Sequence, residues 1–279
     1  MDRALRILEA MAAEARSLAL GEIAERVGLH VSTVYRLLAT LRARAFVEKD
    51  ELTVRYRIGT AALRVGSSFL SGMDLRPALR PVLESLAARS RETANLVIIQ
   101  GLEAVYVDHV IGTKVAKLFT QVGQRVPLHC TAVGKVLLAF SLQHERDALL
   151  SQIKLTRFTK KTFTTRRLLA AELTRVRTVG YAVDQEEHED GVACMAAPVF
   201  DAPGKVAAAV GISGPSGRVL ETVSSLAKII QACAAEASRG LGYSKDRVAE
   251  SRRSAAHLPG RPPRLAERVA RTAVPLLRS

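Results

Sequence analysis

The stretch GLHVSTVYRLLATLRAR, residues 28–44, decides how the N-terminal part of this chain is read. Val34, Leu37, Leu38 and Leu41 fall at i, i+3, i+4 and i+7, which puts four apolar side chains on one helix face. The opposite face carries Ser32, Thr33, Tyr35, Arg36, Thr40, Arg42 and Arg44, and no acidic residue lies between Ser32 and Arg44. Such a helix buries one side and offers hydrogen-bond donors and positive charge on the other, as entry into a DNA major groove requires. Gly28 suits the left-handed position that ends a preceding helix. The short link Gly28-Leu29-His30 then sets two helices at a steep angle, a helix-turn-helix. Ser32 and Thr33 stand at the helix start, where a hydroxyl caps the helix or meets a phosphate.

Upstream, Leu5, Leu8 and Ala12, with Met11 alongside, make one apolar stripe, and Leu20, Ile23, Ala24 and Val27 make a second. Downstream, Phe46-Val47 and residues 54–58 flank a polar tip at 48–52, the pattern of a two-stranded wing. A generic three-helix domain would show the same stripes; the acid-free outer face and the hairpin after it favour a nucleic-acid reader. The candidate DNA contacts are Ser32, Thr33, Tyr35, Arg36, Thr40 and Arg42 on the helix, with Lys49, Arg55 and Arg57 reaching the backbone from the wing. Glu48, Asp50 and Glu51 repel phosphates, so the tip is not expected to enter a groove. Arg36 is the candidate for base readout.

At 279 residues, 48% of them apolar, the chain is long enough for two cores. No stretch approaches the ~20 apolar residues of a membrane span, and the opening residues, with Asp2, Glu9 and Glu14 in a helical pattern, do not read as a signal peptide. Three separated cysteines, Cys130, Cys194 and Cys233, suggest neither a disulfide framework nor a zinc knuckle, so a reducing cytoplasm is expected. The net charge of +14 favours a polyanionic partner, although charge alone does not tell nucleic acid from an acidic membrane. Residues 244–279 are rich in Arg and include Pro259, Pro262, Pro263 and Pro275. They read as a disordered basic tail that is either merely solvated or adds non-specific DNA affinity.

After a small-residue helical stretch at 59–70 and an amphipathic helix at 75–89, the period changes. Strands are expected at 94–100 and 104–110, joined through Gly101, and at 115–122. Helices follow at 131–140, 143–153 and 165–179. Two late strands at 192–200 and 206–213 turn through Asp201-Ala202-Pro203-Gly204, and a closing helix runs over 216–239 to Gly240. Hairpin-linked strands with flanking helices make this an α+β domain with a largely antiparallel sheet.

Residues that suggest chemistry carry little of it. Adjacent His129 and Cys130 in an extended segment point to opposite faces, poor geometry for a nucleophile and its base. Cys194 in an apolar strand reads as a small core residue, and the acidic run around Asp184, Glu186, Glu187, Glu189 and Asp190 as a loop or a set of salt bridges. No P-loop, dinucleotide fingerprint or nucleophile elbow occurs. The expectation is no enzyme, no cofactor and no metal.

The runs ALRIL at 4–8, LGEIA at 20–24, GLHVSTVYRLL at 28–38 and YRIG at 56–59 resemble the IclR family of bacterial transcription regulators. The resemblance continues through VPLHCTAVGK at 126–135, GYAVDQEE at 180–187 and GVACMAAP at 191–198, reaching from Arg3 to near Gly240. It implies a winged helix-turn-helix at 1–58, a linker helix at 59–73, a GAF-like effector-binding domain at 74–243 and the tail at 244–279. It also implies a small organic or aromatic acid as effector, operator DNA as partner, and a homodimer that can pair into a tetramer. Matched motif by motif, the pocket involves Val115, Leu118, Ala132, Val133, Asp184, Cys194, Gly211 and Ser213. Gly211 departs from relatives with serine at both of the last two positions, which enlarges the site. Ala45 stands where the family usually has a glycine.

The residues support such a pocket independently. A helix opening at 130–133 presents unpaired backbone N–H groups suited to a carboxylate, beside an apolar wall of Val115, Leu118 and Val133. The competing reading is a GAF-like small-molecule or redox-sensing module that signals through protein partners without specific DNA binding.

Overall fold

Three helices open the chain, α1 (Asp2–Ala12), α2 (Leu20–Val27) and α3 (Val31–Ala43). They belong to a computed structural model that describes residues 1–14, 16–71, 75–114, 120–244 and 246, with the backbone alone at 67–71. The buried residues of α1 are Ile7 and Met11, whereas Leu5 and Ala12 are exposed. The face expected through Leu5, Leu8 and Ala12 is thus rotated onto Ile7. One cause is Arg6, whose guanidinium donates to the Val27 carbonyl at the end of α2 (2.8 Å) and fixes how α1 lies. α2 ends as its sequence requires, at Gly28 with φ 64°.

α3 begins one residue earlier than expected, so Ser32 and Thr33 lie inside its first turn and do not cap it. The cap is His30, whose Nδ1 accepts from the Ser32 N–H (3.4 Å) and lies 2.8 Å from the Ser32 hydroxyl. Val34 and Leu38 are buried against Ile7, Ile23 and Val27, with Leu37 and Leu41 at the margin.

The wing is a pair of short antiparallel strands, β1 (Val47–Lys49) and β2 (Tyr56–Ile58), with Glu48 opposite Arg57. Glu48 and Lys49 are therefore strand residues and not part of the tip. Asp50 organises the turn beyond them by accepting from the N–H groups of Leu52 (2.9 Å) and Thr53 (3.0 Å). Tyr56 also exchanges both backbone hydrogen bonds with Leu18, which stitches the wing to the segment before α2. Between α3 and the wing, Ala45 adopts φ 58°.

Two compact units meet in sequence at Pro77 and Ala78. α4 (Thr60–Ser71) lies in the first, and α5 (Leu75–Ser90) runs from the first into the second. The second unit continues with β3 (Thr93–Gln100), β4 (Glu103–Val110), β5 (Arg125–Pro127), α6 (Ala132–Phe140), α7 (Gln143–Gln152) and α8 (Arg166–Val179). It closes with β6 (Ala182–Gln185), β7 (Val192–Phe200), β8 (Val206–Pro215), α9 (Ser216–Glu221) and α10 (Val223–Gly240). The six strands form one sheet in the order β5-β4-β3-β8-β7-β6, and every pair is antiparallel.

Residues 193 and 195–199 of β7 are all buried, and alternation sends them to opposite faces, so both faces need cover. α6 and α10 both pack on β7 and β8 and supply it. The α6 face joins Val97, Tyr106, Ala196 and Ala209 to Val133, Val136 and Leu137, with Leu169 and Leu173 of α8 outside them.

Three expectations are corrected here. Thr120–Val122 carry no strand, and the third described strand of the second unit is β5, a little further on; residues 115–119 lie outside the described residues, as does the tail beyond 244 apart from Asp246. The edge strand β6 was not foreseen. The closing helix breaks at Thr222, whose hydroxyl donates back to the Arg218 carbonyl (2.8 Å), and Gly240 lies within α10 while Gly242 takes the left-handed turn (φ 82°). No helix among the described residues is long and apolar enough to cross a membrane.

A non-glycine residue held left-handed is strained. Ala45→Gly should therefore stabilise the protein by about 1 kcal/mol in urea unfolding. An unchanged or lowered midpoint would show that Ala45 carries no such strain.

Candidate functional site

The outer face of α3 presents Ser32, Tyr35, Arg36, Thr40, Arg42 and Arg44 to solvent, with Thr33 partly covered. Tyr35 is 58% exposed, a large ring standing out from a helix whose other side is core. Among the described residues, no hydrogen-bond or ion-pair partner is found for the guanidinium groups of Arg36 and Arg44, and Arg42 has only a loose contact with Glu51 (3.6 Å). Thr40 donates to the Arg36 carbonyl (3.2 Å).

The wing cations are differently placed. Arg57 pairs with Glu48 across the strands (2.8 Å), and Lys49 lies 3.4 Å from Glu51. Arg55 turns inward, with one guanidinium nitrogen 3.0 Å from both the Ser17 carbonyl and the Glu22 carboxylate. Glu22 also accepts from the Ala19 N–H at the start of α2 (2.7 Å). That backbone hydrogen bond, with Arg16 beside it, holds its carboxyl down at about 2. Arg55 is thus a strut between wing and α2, a role its position in a basic wing did not signal.

In the second unit, a cavity of about 80 Å³ opens between the sheet and the start of α6. It brings together Ala132, Val133, Asp184, Cys194, Gly211 and Ser213 from four separate stretches of sequence. Val115 and Leu118 lie outside the described residues. Thr131, within the helix opening expected at 130–133, also lines it; Asn95 and Tyr106 line it too and were missed, since a lone asparagine or tyrosine in an apolar strand carries no motif.

Local structure explains the helix end. Thr131 caps α6 by accepting from the Gly134 N–H (3.2 Å) while its hydroxyl donates to the Pro127 carbonyl (2.7 Å). This leaves the N–H groups of Ala132 and Val133 for a guest. Gly134 is required, because a Cβ there would lie 2.5 Å from the Leu128 backbone. At Gly211 a Cβ would stand 3.0 Å from Val133 Cγ1 and 3.1 Å from the Met195 carbonyl, so glycine lets Val133 pack close to the sheet, and the enlargement expected from the absent side chain is not found.

β6 pairs Asp184 with Cys194 of β7 and delivers the carboxyl to the cavity. One carboxyl oxygen accepts from the Glu187 N–H (2.7 Å). Burial nevertheless pushes the acid up to about 7; the nearby Glu187 carboxylate raises it further and Lys135 opposes. Burial also pushes the Cys194 thiol well above its ordinary range, so it is no thiolate nucleophile. Behind the cavity, Lys135 is fully buried, donating to the Val183 carbonyl (2.7 Å) and to Glu187, with Glu172 of α8 at 3.4 Å.

A winged helix with a cationic outer face, carried on one chain with a sheet domain holding a polar cavity, defines a class: one-component transcription regulators. Comparison with known proteins makes this definite. Residues 1–51 match the model for the IclR helix-turn-helix domain and residues 67–239 that for the bacterial transcriptional regulator IclR C-terminal domain. The chain is 36% identical over 247 residues to the HTH-type transcriptional regulator BhcR of Paracoccus denitrificans, covering 88% of each. It is 34% identical over 244 residues to the HTH-type regulator XynR of Escherichia coli, covering 87% of this chain and 97% of that one. The crystal structure of the Thermotoga maritima IclR superposes with a TM-score of 0.73 at 33% identity, over 87% of this chain and 98% of that one. The chain belongs to the IclR family of bacterial transcriptional regulators, and its second unit has the family's GAF-like fold.

Asp184 gives a pH test. Its folded value near 7 lies above the ordinary 3.8, so ionising it opposes folding. That penalty accumulates from about pH 4 to about pH 7 and is complete above. Asp184→Asn should then be more stable than the natural protein at pH 8, by roughly 2–4 kcal/mol, and equal to it near pH 4. A gain that is the same at both pH values in urea unfolding would contradict the assignment.

Proposed function

We propose that the cavity is the effector site, that a small organic or aromatic acid fills it, and that its occupancy changes how the α3 face engages an operator, in control of a catabolic operon. The observation that carries this reading is the opening of a helix start, with unclaimed N–H groups at Ala132 and Val133, onto a cavity also lined by Cys194 and Ser213. A helix N-terminus attracts a carboxylate through its partial positive charge and free donors.

On the DNA side, Arg36 is assigned to base readout and Ser32, Thr33, Tyr35, Thr40 and Arg42 to its surroundings. Lys49 and Arg57 contact phosphates only by loosening their own ion pairs, and Arg55 acts mainly as the strut already described. Residues 1–58 read DNA, 59–73 link, and 74–243 sense. One winged domain spans a half-site, so a homodimer, or a pair of dimers, meets a two-fold operator. The effector shifts the equilibrium between two arrangements of that assembly by no more than its difference in affinity for them.

Two substitutions test the two faces separately. Arg36→Ala should relax specificity at one operator position by ~1–3 kcal/mol in gel-shift titrations against single-base variants. Uniform weakening across all variants would make Arg36 a phosphate contact. Cys194→Trp should fill the cavity and abolish the effector response while leaving operator affinity in place. An unaltered response would move the effector elsewhere.

A further inference from the structure

Asn95 is 1% exposed and lines the cavity, and its Oδ1 is buried without a hydrogen-bond partner among the described residues. The amide orientation is fixed by its other end. Nδ2 faces the Ser213 hydroxyl oxygen at 3.0 Å and the Thr93 carbonyl at 3.5 Å, and of the two ends of the amide only the nitrogen donates to a carbonyl. Flipping the amide would set two acceptors against each other.

Ser213 is constrained in turn. Its oxygen accepts from Asn95 Nδ2 and from the Cys194 thiol (3.3 Å), which leaves its own O–H for a further acceptor. The cavity therefore offers donors at Ala132, Val133 and Ser213, and a bare acceptor at Asn95. Asp184 contributes another acceptor wall, with one oxygen already committed to the Glu187 N–H.

These groups are close together. Asn95 on β3 is the register partner of Gly211 on β8, and Val133 stands over Gly211. The absent side chain at 211 thus lets the start of α6 approach the sheet beside the amide, since a Cβ there would meet Val133 Cγ1 at 3.0 Å. A buried acceptor left unmatched is unfavourable, so a well-fitted guest brings a proton donor to it as well as an anion to the helix.

We propose that this cavity takes a short hydroxy acid, its carboxylate on the Ala132 and Val133 N–H groups and its hydroxyl donating to Asn95 Oδ1. Asn95 is then the residue that separates hydroxy acids from 2-oxo and unsubstituted acids of the same length. This rests on reading the cavity as the effector site.

The test is calorimetry on the full-length protein with matched pairs: glycolate and acetate, lactate and propanoate, 3-hydroxybutanoate and butanoate, with pyruvate added to the lactate pair. The best-binding hydroxy acid should bind at least about tenfold more tightly than its unsubstituted partner, and lactate more tightly than pyruvate. In Asn95→Leu the ratio within that pair should fall to within about threefold. The panel on the natural protein decides the matter whether or not that variant folds. Equal affinities within every pair, tighter binding of pyruvate, or no binding by any hydroxy acid overturns the inference while the cavity reading stands on its own test. A hydroxy acid whose affinity is untouched by Cys194→Trp takes down the cavity reading and the inference together.

Discussion

The sensing domain depends on one buried ammonium. Lys135 has no solvent contact, and its charge is met by Glu187, by Glu172 and by the Val183 carbonyl. Those partners sit on the segment after β6, on α8 and on β6 itself, so one lysine on α6 fixes three neighbours. Removing one member of a buried ion pair leaves the other uncompensated, so the four groups stand or fall together. The cavity lies at the junction they define: α6 brings its first N–H groups, and β6 brings Asp184.

That arrangement explains why an acid sits in a site read as anion-binding. Asp184 is held where β6 pairs with β7, and burial keeps its carboxyl near neutrality, so near pH 7 it need not oppose a carboxylate guest with a full charge. The thiol of Cys194 and the hydroxyl of Ser213 stay neutral beside it. These three groups thus add little fixed negative charge to a cavity that Glu189 also lines, while the positive end of α6 supplies attraction.

The sequence disclosed those parts that repeat with a period. The α3 face, the Gly28 stop, the β3–β4 hairpin and the Pro203-Gly204 turn all follow from spacing or from a residue with restricted backbone choices. Parts set by a single long-range contact were silent. β6 is four residues long with a buried acid in it, and only its pairing with β7 makes it a strand. Arg55 looks like a phosphate contact until Glu22 and Ser17 are seen beside it. His30 became a cap because its ring reaches Ser32, where serine and threonine were the expected caps. In the cavity, the motif-bearing residues came from the resemblance, whereas Asn95 and Tyr106 are known as lining only from the sheet register that brings them there.

Regulation through this chain requires the outer face of α3 to lie against a duplex. Tyr35 is the reporter for it, an oxidisable ring at the middle of that face and largely open to solvent. Hydroxyl-radical footprinting of the full chain, with and without a duplex from its own promoter region, measures this directly. Tyr35 should lose most of its reactivity on the specific duplex and keep it whenever the DNA is not bound. Unchanged reactivity of Tyr35 in a saturated, sequence-selective complex would contradict this placement of α3.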